Sequence, residues 1–366
     1  MNLYFDNAAA MECGGDTLDR FRSLASRLYG NQESPASGTR AAVADAERLL
    51  LETFCGSCRN DYRVLFVHTG TDAVSSAFQA VGKFVCKGKI VLSGGEHSCV
   101  LSAAERMGAD HPRVIAACGP DGIIGSGDLQ DAVSPDTAFA ALHLVQSETG
   151  AVQRPEVFRA VLDRNAPGAA LLIDAIQGAG KVPFDFPAVR PDFFTISGQK
   201  LGTPGGAALI YRKRYEAVFG KLRFEEHRIG RLPPAFAVLL AETASGWVRN
   251  MEERRRDAQT LKTLLLDELT RLVPGKFRVT VRDASPFILH LLLSDGKTAY
   301  QGAIVTRALS ERGIVTAPGS ACNAETDRPS PALTWMKIPA RLAYAALRIS
   351  FSPHNDADGV RALAAA

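Results

Sequence analysis

The chain has 366 residues, of which 46% are hydrophobic and 22% are charged, and its net charge is +3. This composition is typical of a globular protein with a large core and two domains, and the charge is too small to predict binding to nucleic acid. No run reaches 18 uninterrupted apolar residues, and the N-terminus lacks a basic segment followed by an apolar one, so we predict neither a membrane span nor a signal peptide.

Short strands and helices alternate along the first 211 residues. The spacing of apolar residues predicts helices over 16–29 and 39–54, and a stretch rich in alanine, serine and phenylalanine predicts another over 72–86. The predicted strands are 64–67, 89–92, 113–116, 138–145, 170–174, a run that ends at Ser197, and 207–211. Such alternation predicts an α/β fold in which helices flank a mainly parallel sheet.

Polar residues follow several of these strands. Gly70 and Thr71 lie in the turn before the 72–86 helix, where backbone N–H groups and the positive end of the helix dipole can bind a phosphate. His97 follows the next strand, where a histidine can be a cap, a core group or a ring that lies flat on a planar cofactor. Because ligands bind at the carboxyl edge of open α/β sheets, these turns predict one shared site.

Seven cysteines are spread along the chain, and their odd number favours reduced thiols in a cytoplasmic protein over a disulfide framework. Cys55 and Cys58 have the spacing of a redox or metal pair. Since no second pair and no histidine cluster accompanies them, we interpret them as free thiols in a loop and predict no metal site.

Lys200 and Asp174 together predict the cofactor. Lys200 lies at the end of a strand, between Ser197-Gly198 and a turn rich in glycine and proline, and a buried lysine amine can form a Schiff base with an aldehyde. Alone, it would more simply be a surface residue in a hairpin turn. However, Asp174 ends a buried strand 26 residues earlier. Pyridoxal 5'-phosphate (PLP) offers an aldehyde to a lysine and a ring nitrogen to an acid.

The pattern changes after residue 211. A charged loop leads into one or two long helices over 235–272, which are followed by strands at 277–281 and 287–293 and a helix at 299–312. We therefore predict three parts, namely an N-terminal segment (1–15) that packs with the small domain, a large PLP-binding domain (16–250) and a small α+β domain (251–366). The small domain carries a loop of small residues with Cys322 and a buried strand with Arg348.

In this order and spacing, the motifs resemble a known family, the PLP-dependent cysteine desulfurases of the class V aminotransferase superfamily, which have the PLP-dependent transferase fold type I. The cysteine-containing loop is similar to that of the group I enzymes, whose nucleophilic cysteine lies on a mobile loop. The segments that carry the resemblance at the two ends of the chain are Tyr4-Phe5-Asp6-Asn7-Ala8-Ala9, Gly319-Ser320-Ala321-Cys322 and Arg348-Ile349-Ser350-Phe351.

The resemblance implies a role for each matching residue. Lys200 would bind PLP covalently and move the Cα proton, and Cys322 would attack the sulfur of the substrate. The implied cofactor-binding residues are Asp174 for the pyridine nitrogen, Gln177 for the phenolic oxygen, His97 for the ring face, and Gly70, Thr71 and Ser197 for the phosphate. The implied substrate-binding residues are Arg348, Asn31 and Gln146.

Several positions depart from the family pattern. Gln199 replaces a histidine, and glutamine can donate a hydrogen bond to the phosphate but cannot carry charge. Arg231 replaces a threonine that reaches the phosphate of the partner subunit, so we predict that Arg231 binds that phosphate across a dimer interface. Gln146-Ser147 replaces Asn-Asn and Gln32 replaces a proline, and these changes flank the substrate pocket.

The resemblance implies a cytoplasmic homodimer that converts L-cysteine to L-alanine and passes persulfide sulfur from Cys322 to an acceptor protein, with no direct contact to nucleic acid or membrane. Two alternatives remain open on the sequence. One is another class V enzyme, an aminotransferase or a lyase such as selenocysteine lyase, in which Cys322 is an inert residue in a turn. The other is a weakly active protein that serves as a scaffold for a sulfur acceptor.

Overall fold

A computed structural model describes residues 3–29, 38–224, 231–319 and 329–366. The strands in chain order are β1 (Leu3–Tyr4), β2 (Tyr62–Val67), β3 (Lys89–Ser93), β4 (Arg113–Ala116), β5 (Thr137–His143), β6 (Ala170–Asp174), β7 (Phe193–Ser197), β8 (Ala207–Arg212), β9 (Phe277–Val279), β10 (Ile288–Leu293), β11 (Ile314–Val315), β12 (Ala317–Pro318) and β13 (Ala346–Ser350).

The helices alternate with the strands in the first part of the chain and dominate the middle of it. In chain order they are α1 (Gly15–Arg27), α2 (Thr39–Cys55), α3 (Gly70–Phe84), α4 (Ser98–Glu105), α5 (Ser126–Ala132), α6 (Pro155–Asn165), α7 (Phe186–Val189), α8 (Glu216–Phe224), α9 (Pro234–Arg249), α10 (Met251–Leu272), α11 (Gly302–Glu311), α12 (Pro331–Trp335), α13 (Ala340–Ala343) and α14 (Ala357–Ala365).

The larger sheet has seven strands in the order β2-β8-β7-β6-β5-β3-β4. All neighbouring strands run parallel except β8, which is antiparallel to both β2 and β7. The predicted α/β architecture with a mainly parallel sheet is therefore confirmed. The carboxyl ends of β2, β3, β5, β6 and β7 meet at one edge, which collects the turns that follow them.

Helices cover both faces of this sheet, as parallel sheets require. In β6, Leu171 and Ile173 pack in one hydrophobic cluster, while Ala170 and Leu172 pack in the other. The alternation follows from the two-residue period of a strand, and it explains why the strand is a continuous apolar run. The buried sheet provides a rigid base for the polar residues at its edge.

The second sheet has four antiparallel strands in the order β12-β13-β10-β9, all from the region after residue 250. The N-terminal segment packs beside this region, since β1 pairs with β11 and the Asn7 side chain donates to the Ser350 carbonyl at 2.8 Å. The Met11 N–H also donates to the Gln199 carbonyl of the larger unit. The division at residue 250 stays a prediction, and the two sheets lie on either side of it.

Several predicted bounds shift by a few residues in the structure, and the alternative of one or two long helices is settled. The 72–86 helix begins at Gly70, because the side chain of Thr69 caps the N–H of Asp72 and Asp72 bonds the N–H of Thr69 in return. The long helical region is divided at Asn250, which ends α9 before α10 begins. Within the described ranges, no helix combines the length and the apolar character needed to cross a membrane.

Candidate active site

A cavity of about 380 Å³ opens at the carboxyl edge of the larger sheet. It collects residues from turns that are far apart in sequence, and most of the predicted site residues line it. These are Gly70, Thr71, His97, Asp174, Gln177, Ser197, Gln199, Lys200 and Arg348. The geometry therefore brings the predicted amine, acid, histidine and arginine into one space.

One end of the cavity suits a phosphate. The N-terminus of the 15-residue helix α3 faces it, and the capping contacts of Thr69 leave the N–H groups of Gly70 and Thr71 outside the helical hydrogen-bond pattern. A Cβ atom on Gly70 would lie only 2.6 Å from the Cδ1 atom of Ile176, so a larger residue there would require the Ile176 side chain to move. Ser197 adds a hydroxyl at the same end. These donors fit the phosphate of PLP.

Asp174 lies at the C-terminal end of β6 and is buried. One of its carboxylate oxygens accepts hydrogen bonds from the Thr195 hydroxyl (2.8 Å) and the Ile176 N–H (3.1 Å). Burial, and then the charge of Glu96, raise the pKa of Asp174, while these two hydrogen bonds oppose the shift. A cationic N–H in the cavity would compensate the buried charge, so Asp174 fits a protonated pyridine nitrogen.

His97 caps the start of α4 and lines the cavity. Its Nδ1 accepts from the Cys99 N–H at 3.2 Å and lies 3.0 Å from the Cys99 sulfur. Burial lowers the pKa of His97, and Lys200 lowers it further against the opposing effects of Asp174 and Glu96. The imidazole is therefore neutral near pH 7, and a neutral flat ring fits stacking against PLP.

Backbone carbonyls of the N-terminal segment orient two site residues. The Lys200 amine donates to the Ala9 carbonyl, and the Gln177 amide donates to the Ala8 carbonyl at 2.7 Å. Because an amide NH₂ has two N–H groups, Gln177 keeps one for a ligand oxygen. The sequence did not predict the contacts to the Ala8 and Ala9 carbonyls, because every residue has a backbone carbonyl and no sequence pattern marks the ones that bind a side chain.

Arg348 lies in the middle of β13 and is 5% exposed. Its guanidinium donates to Asp6 at 2.6 Å and to the Ser147 carbonyl at 3.0 Å. Burial, helped by the charge of Arg348, lowers the pKa of the neighbouring His290 to about 3. Of Arg348 and His290, only Arg348 is therefore positively charged near pH 7. The hydrogen bond to Asp6 fixes the orientation of its guanidinium. The Asp6 contact joins residues 342 positions apart, and no local pattern signals it.

Two predicted residues are not part of the cavity wall. The Gln146 oxygen accepts from the N–H groups of Glu148 (2.7 Å) and Thr149 (2.6 Å), and its amide donates to the Gly95 carbonyl at 3.3 Å. Gln146 thus holds the turn, while its neighbour Ser147 lines the cavity, and this geometry does not support direct substrate contact by Gln146. Arg231 is also absent from the lining.

Asn31 and Cys322 lie outside the described residues, so their roles stay predictions. Cys55 and Cys58, in contrast, are described, and both are buried where α2 ends. The Cys58 thiol donates to the Cys55 carbonyl at 3.0 Å, and burial raises the pKa of both thiols. They are therefore poor nucleophiles, in agreement with their interpretation as free thiols. The predicted loop is wrong, because Cys55 is the last residue of α2 and Cys58 lies in a short 3₁₀-helix that follows it directly.

Comparison with known proteins gives a consistent result. The family model described as "Aminotransferase class-V" matches residues 3–363, which confirms the predicted resemblance and its PLP cofactor. A curated cysteine desulfurase of Gluconacetobacter diazotrophicus is 26% identical to this chain, over an alignment that covers 99% of this chain and 91% of that protein. Among solved structures, a NifS-like protein is 19% identical with a TM-score of 0.85, covering 100% of this chain and 98% of that one.

A second solved structure, the cysteine desulfurase CsdA of Escherichia coli, is 20% identical with a TM-score of 0.78 and covers 100% of this chain and 93% of that one. At these identities the structural likeness establishes the fold. The predicted PLP-dependent transferase fold type I is therefore confirmed.

Proposed function

Because the chain belongs to the aminotransferase class-V family, we propose that it is a PLP-dependent cysteine desulfurase, which takes the sulfur of L-cysteine and leaves L-alanine. The observation that carries the proposal is the convergence of Lys200, Asp174, His97 and Arg348 on one cavity. A lysine, a buried acid and a neutral aromatic ring suit the three parts of PLP, and an arginine suits the carboxylate of an amino acid.

PLP, when bound, supplies a ring that accepts electrons from the carbon skeleton of the amino acid. With PLP bound, Asp174 would hold a proton at the ring nitrogen, and the N-terminus of α3 with Ser197 would hold the phosphate. Lys200 would hold the aldehyde and would move a proton at Cα of the substrate. The Lys200 amine donates to the Ala9 carbonyl, which directs it along the N-terminal segment.

Arg348 supplies the substrate-binding end of the cavity. Its guanidinium is held by Asp6 and by the Ser147 carbonyl, so little rotamer freedom is lost when a carboxylate binds. The guanidinium favours an α-amino acid over a simple amine, because only a substrate with a carboxylate gives Arg348 a second anionic partner besides Asp6. The substrate is thereby oriented with its amine toward Lys200.

We assign sulfur transfer to Cys322. In this step the Cys322 sulfur forms a bond to the substrate sulfur while the carbon–sulfur bond breaks, and a proton replaces sulfur on the carbon, which gives alanine and a persulfide. This assignment is supported by the position of Gly319, the last described residue before the segment that contains Cys322. Gly319 donates its N–H to the Ala346 carbonyl at 3.0 Å, and Ala317 in the same strand region pairs with Arg348. The loop therefore starts beside the substrate-binding strand.

Replacing Cys322 with alanine tests this assignment. We expect alanine formation from L-cysteine to fall at least about a hundredfold, while the visible absorption of bound PLP is unchanged. The reason is that the other thiol in the described lining of the cavity, Cys99, has its pKa raised by burial and is a poor nucleophile. The measurement is alanine released per enzyme with and without added reductant. The control is Cys86→Ala, which removes an exposed thiol and should leave turnover unchanged.

Other outcomes of this test correspond to the alternatives. Unchanged turnover in Cys322→Ala would assign the chain to another class V reaction, in which the thiol is not used. A wild-type chain that binds PLP but releases no alanine from L-cysteine would favour a scaffold for a sulfur-acceptor protein.

We also propose a cytoplasmic homodimer that passes its sulfur to an acceptor protein, with Arg231 of each subunit at the phosphate of the other. In support, Arg231 directly follows a charged segment, 225–230, and does not line the cavity of its own chain. A second subunit would bring it to a phosphate, where it would replace the charge that Gln199 lacks.

Replacing Arg231 with alanine should therefore weaken PLP retention roughly tenfold or more, as expected for loss of a charge-assisted hydrogen bond. The cofactor remaining after dialysis is measured by absorbance, with Arg249→Ala, an exposed arginine at the end of α9, as the matched control. Equal retention in both variants, with the dimer intact, would remove Arg231 from the cofactor site.

A further inference from the structure

A buried polar network lies beside Asp174, and the assigned chemistry does not use it. It consists of Ser93, Glu96, His143 and Gln153, each at most 5% exposed. One oxygen of Glu96, Oε1, accepts from the Ser93 hydroxyl and from the His143 backbone N–H (2.8 Å), and it lies 3.3 Å from His143 Nδ1. The network thus holds an acid and a histidine together in the protein interior.

Gln153 determines which nitrogen of His143 carries the proton. The Gln153 oxygen accepts from the Ile124 N–H at 3.1 Å, which fixes the orientation of the amide. The amide nitrogen then donates to the Gly122 carbonyl (2.7 Å) and to His143 Nε2 (3.1 Å). Since Nε2 accepts a hydrogen bond, the proton of a neutral imidazole lies on Nδ1, where it faces Glu96 and Ser93.

The geometry favours one form of His143. A second proton would lie on Nε2, where the Gln153 amide already points an N–H, so it would set two donors against each other. Glu96 Oε1 accepts from the Ser93 hydroxyl and the His143 backbone N–H and faces His143 Nδ1, while Glu96 Oε2 has no hydrogen-bond partner among the described residues. The network therefore places no cationic partner against Glu96.

The network is close to the end of the cavity that Asp174 occupies. His143 and Asp174 are register partners on the neighbouring strands β5 and β6, and both line the cavity. The titratable groups that face Glu96 and Asp174 from the surrounding elements are His97 and Cys99 near α4 and Lys200 after β7. The Lys200 amine acts on His97 and donates to the Ala9 carbonyl.

We propose that Glu96, held by His143 and Gln153, is a second anion that keeps the ring nitrogen of PLP protonated to higher pH than Asp174 alone would. The inference rests on the proposed PLP enzyme and deepens it. A second buried carboxylate close to Asp174 makes the potential at this end of the cavity more negative, which favours a proton on the ring. Glu96 acts by its charge, without contact with the ring, and His143 and Gln153 hold it in place, so all three are positioning residues.

The first arm of the test uses the protein without cofactor. Long-range proton–nitrogen NMR on the ¹⁵N-histidine-labelled chain, with His143→Gln to assign the signal, should show His143 as the neutral Nδ1–H form from about pH 5 to 8. Replacing Gln153 with leucine removes the donor at Nε2, so His143 should then accept a proton as the pH falls. An Nε2–H form, or a His143 that titrates in the wild-type chain, would overturn the network assignment.

The second arm uses the holoenzyme loaded with PLP labelled with ¹⁵N in the ring. In Glu96→Gln, which keeps the size of the side chain but removes its charge, the pH at which the ring nitrogen loses its proton should fall by about one unit, a tenfold change. Gln153→Leu should move it in the same direction by allowing His143 to neutralise Glu96. Glu216→Gln, the same charge change at an exposed position, should leave it unmoved.

Each remaining outcome has a defined consequence. An unchanged ring-nitrogen titration in Glu96→Gln, or in Gln153→Leu if the first variant does not fold, would overturn the role of Glu96. A wild-type chain that takes up no PLP would instead overturn the proposed function, and with it this role, even where the cofactor-free NMR spectrum shows the expected form of His143. The two failures are therefore distinguishable.

Discussion

Replacing Lys200 with alanine should abolish turnover, with a loss of about a thousandfold or more. Lys200 both binds the aldehyde and moves the proton at Cα, and loss of a positioned acid–base group alone typically costs about 10²–10⁴-fold. The Lys200 amine lies in the same cavity as Asp174 and His97, and no other lysine lines that cavity in the described part of the chain. Among the described lining residues, none can therefore take over the role of the Lys200 amine.

Covalent attachment gives a measurement that does not depend on turnover. Borohydride reduction should link PLP to the wild-type chain, and mass spectrometry of its peptides should locate the link at Lys200. Lys200→Ala should remain unlinked, although the phosphate contacts at α3 still allow weak binding of PLP. The control is Lys213→Ala, which removes an exposed lysine after β8. A link at another lysine, or none in the wild type, would contradict the assignment.

Replacing Asp174 with asparagine should lower turnover by about a hundredfold to a thousandfold while leaving the Lys200–PLP link intact. The asparagine oxygen can still accept from Thr195 and Ile176, so the local fold is retained. What is lost is the charge that holds a proton at the ring nitrogen, and electrostatic stabilisation of this kind accounts for losses of about that size.

Two measurements separate this effect from simple unfolding. Thermal unfolding of Asp174→Asn should occur at or above the wild-type temperature, because burial raises the pKa of this carboxyl and a neutral amide avoids the cost of burying its charge. The ring nitrogen of labelled PLP should be unprotonated at pH 7. Asp163→Asn, an exposed change on α6, should match the wild type in both. Full turnover in Asp174→Asn would exclude an electron-accepting ring as the basis of the reaction.

Much of the fold was accessible from the sequence because its signals are local. Apolar runs such as Ala170–Asp174 and helical periodicity between them are set by which face each residue buries, and the structure reproduces strands β4 and β6 at their predicted bounds. The grouping of the candidate site residues could also be predicted, because parallel strands bring the turns that follow them to one edge of the sheet.

The sequence by itself determined the set of candidate side chains, namely an amine, an acid and a histidine that end or follow strands of the larger sheet and an arginine within a buried strand. The tertiary structure alone decided how they are held. Asp6 directs Arg348, the Ala8 and Ala9 carbonyls direct Gln177 and Lys200, and Gln146 turns into its own loop instead of the cavity. The physical reason is that hydrogen bonds depend on rotamers and on contacts across hundreds of residues, which no local period encodes.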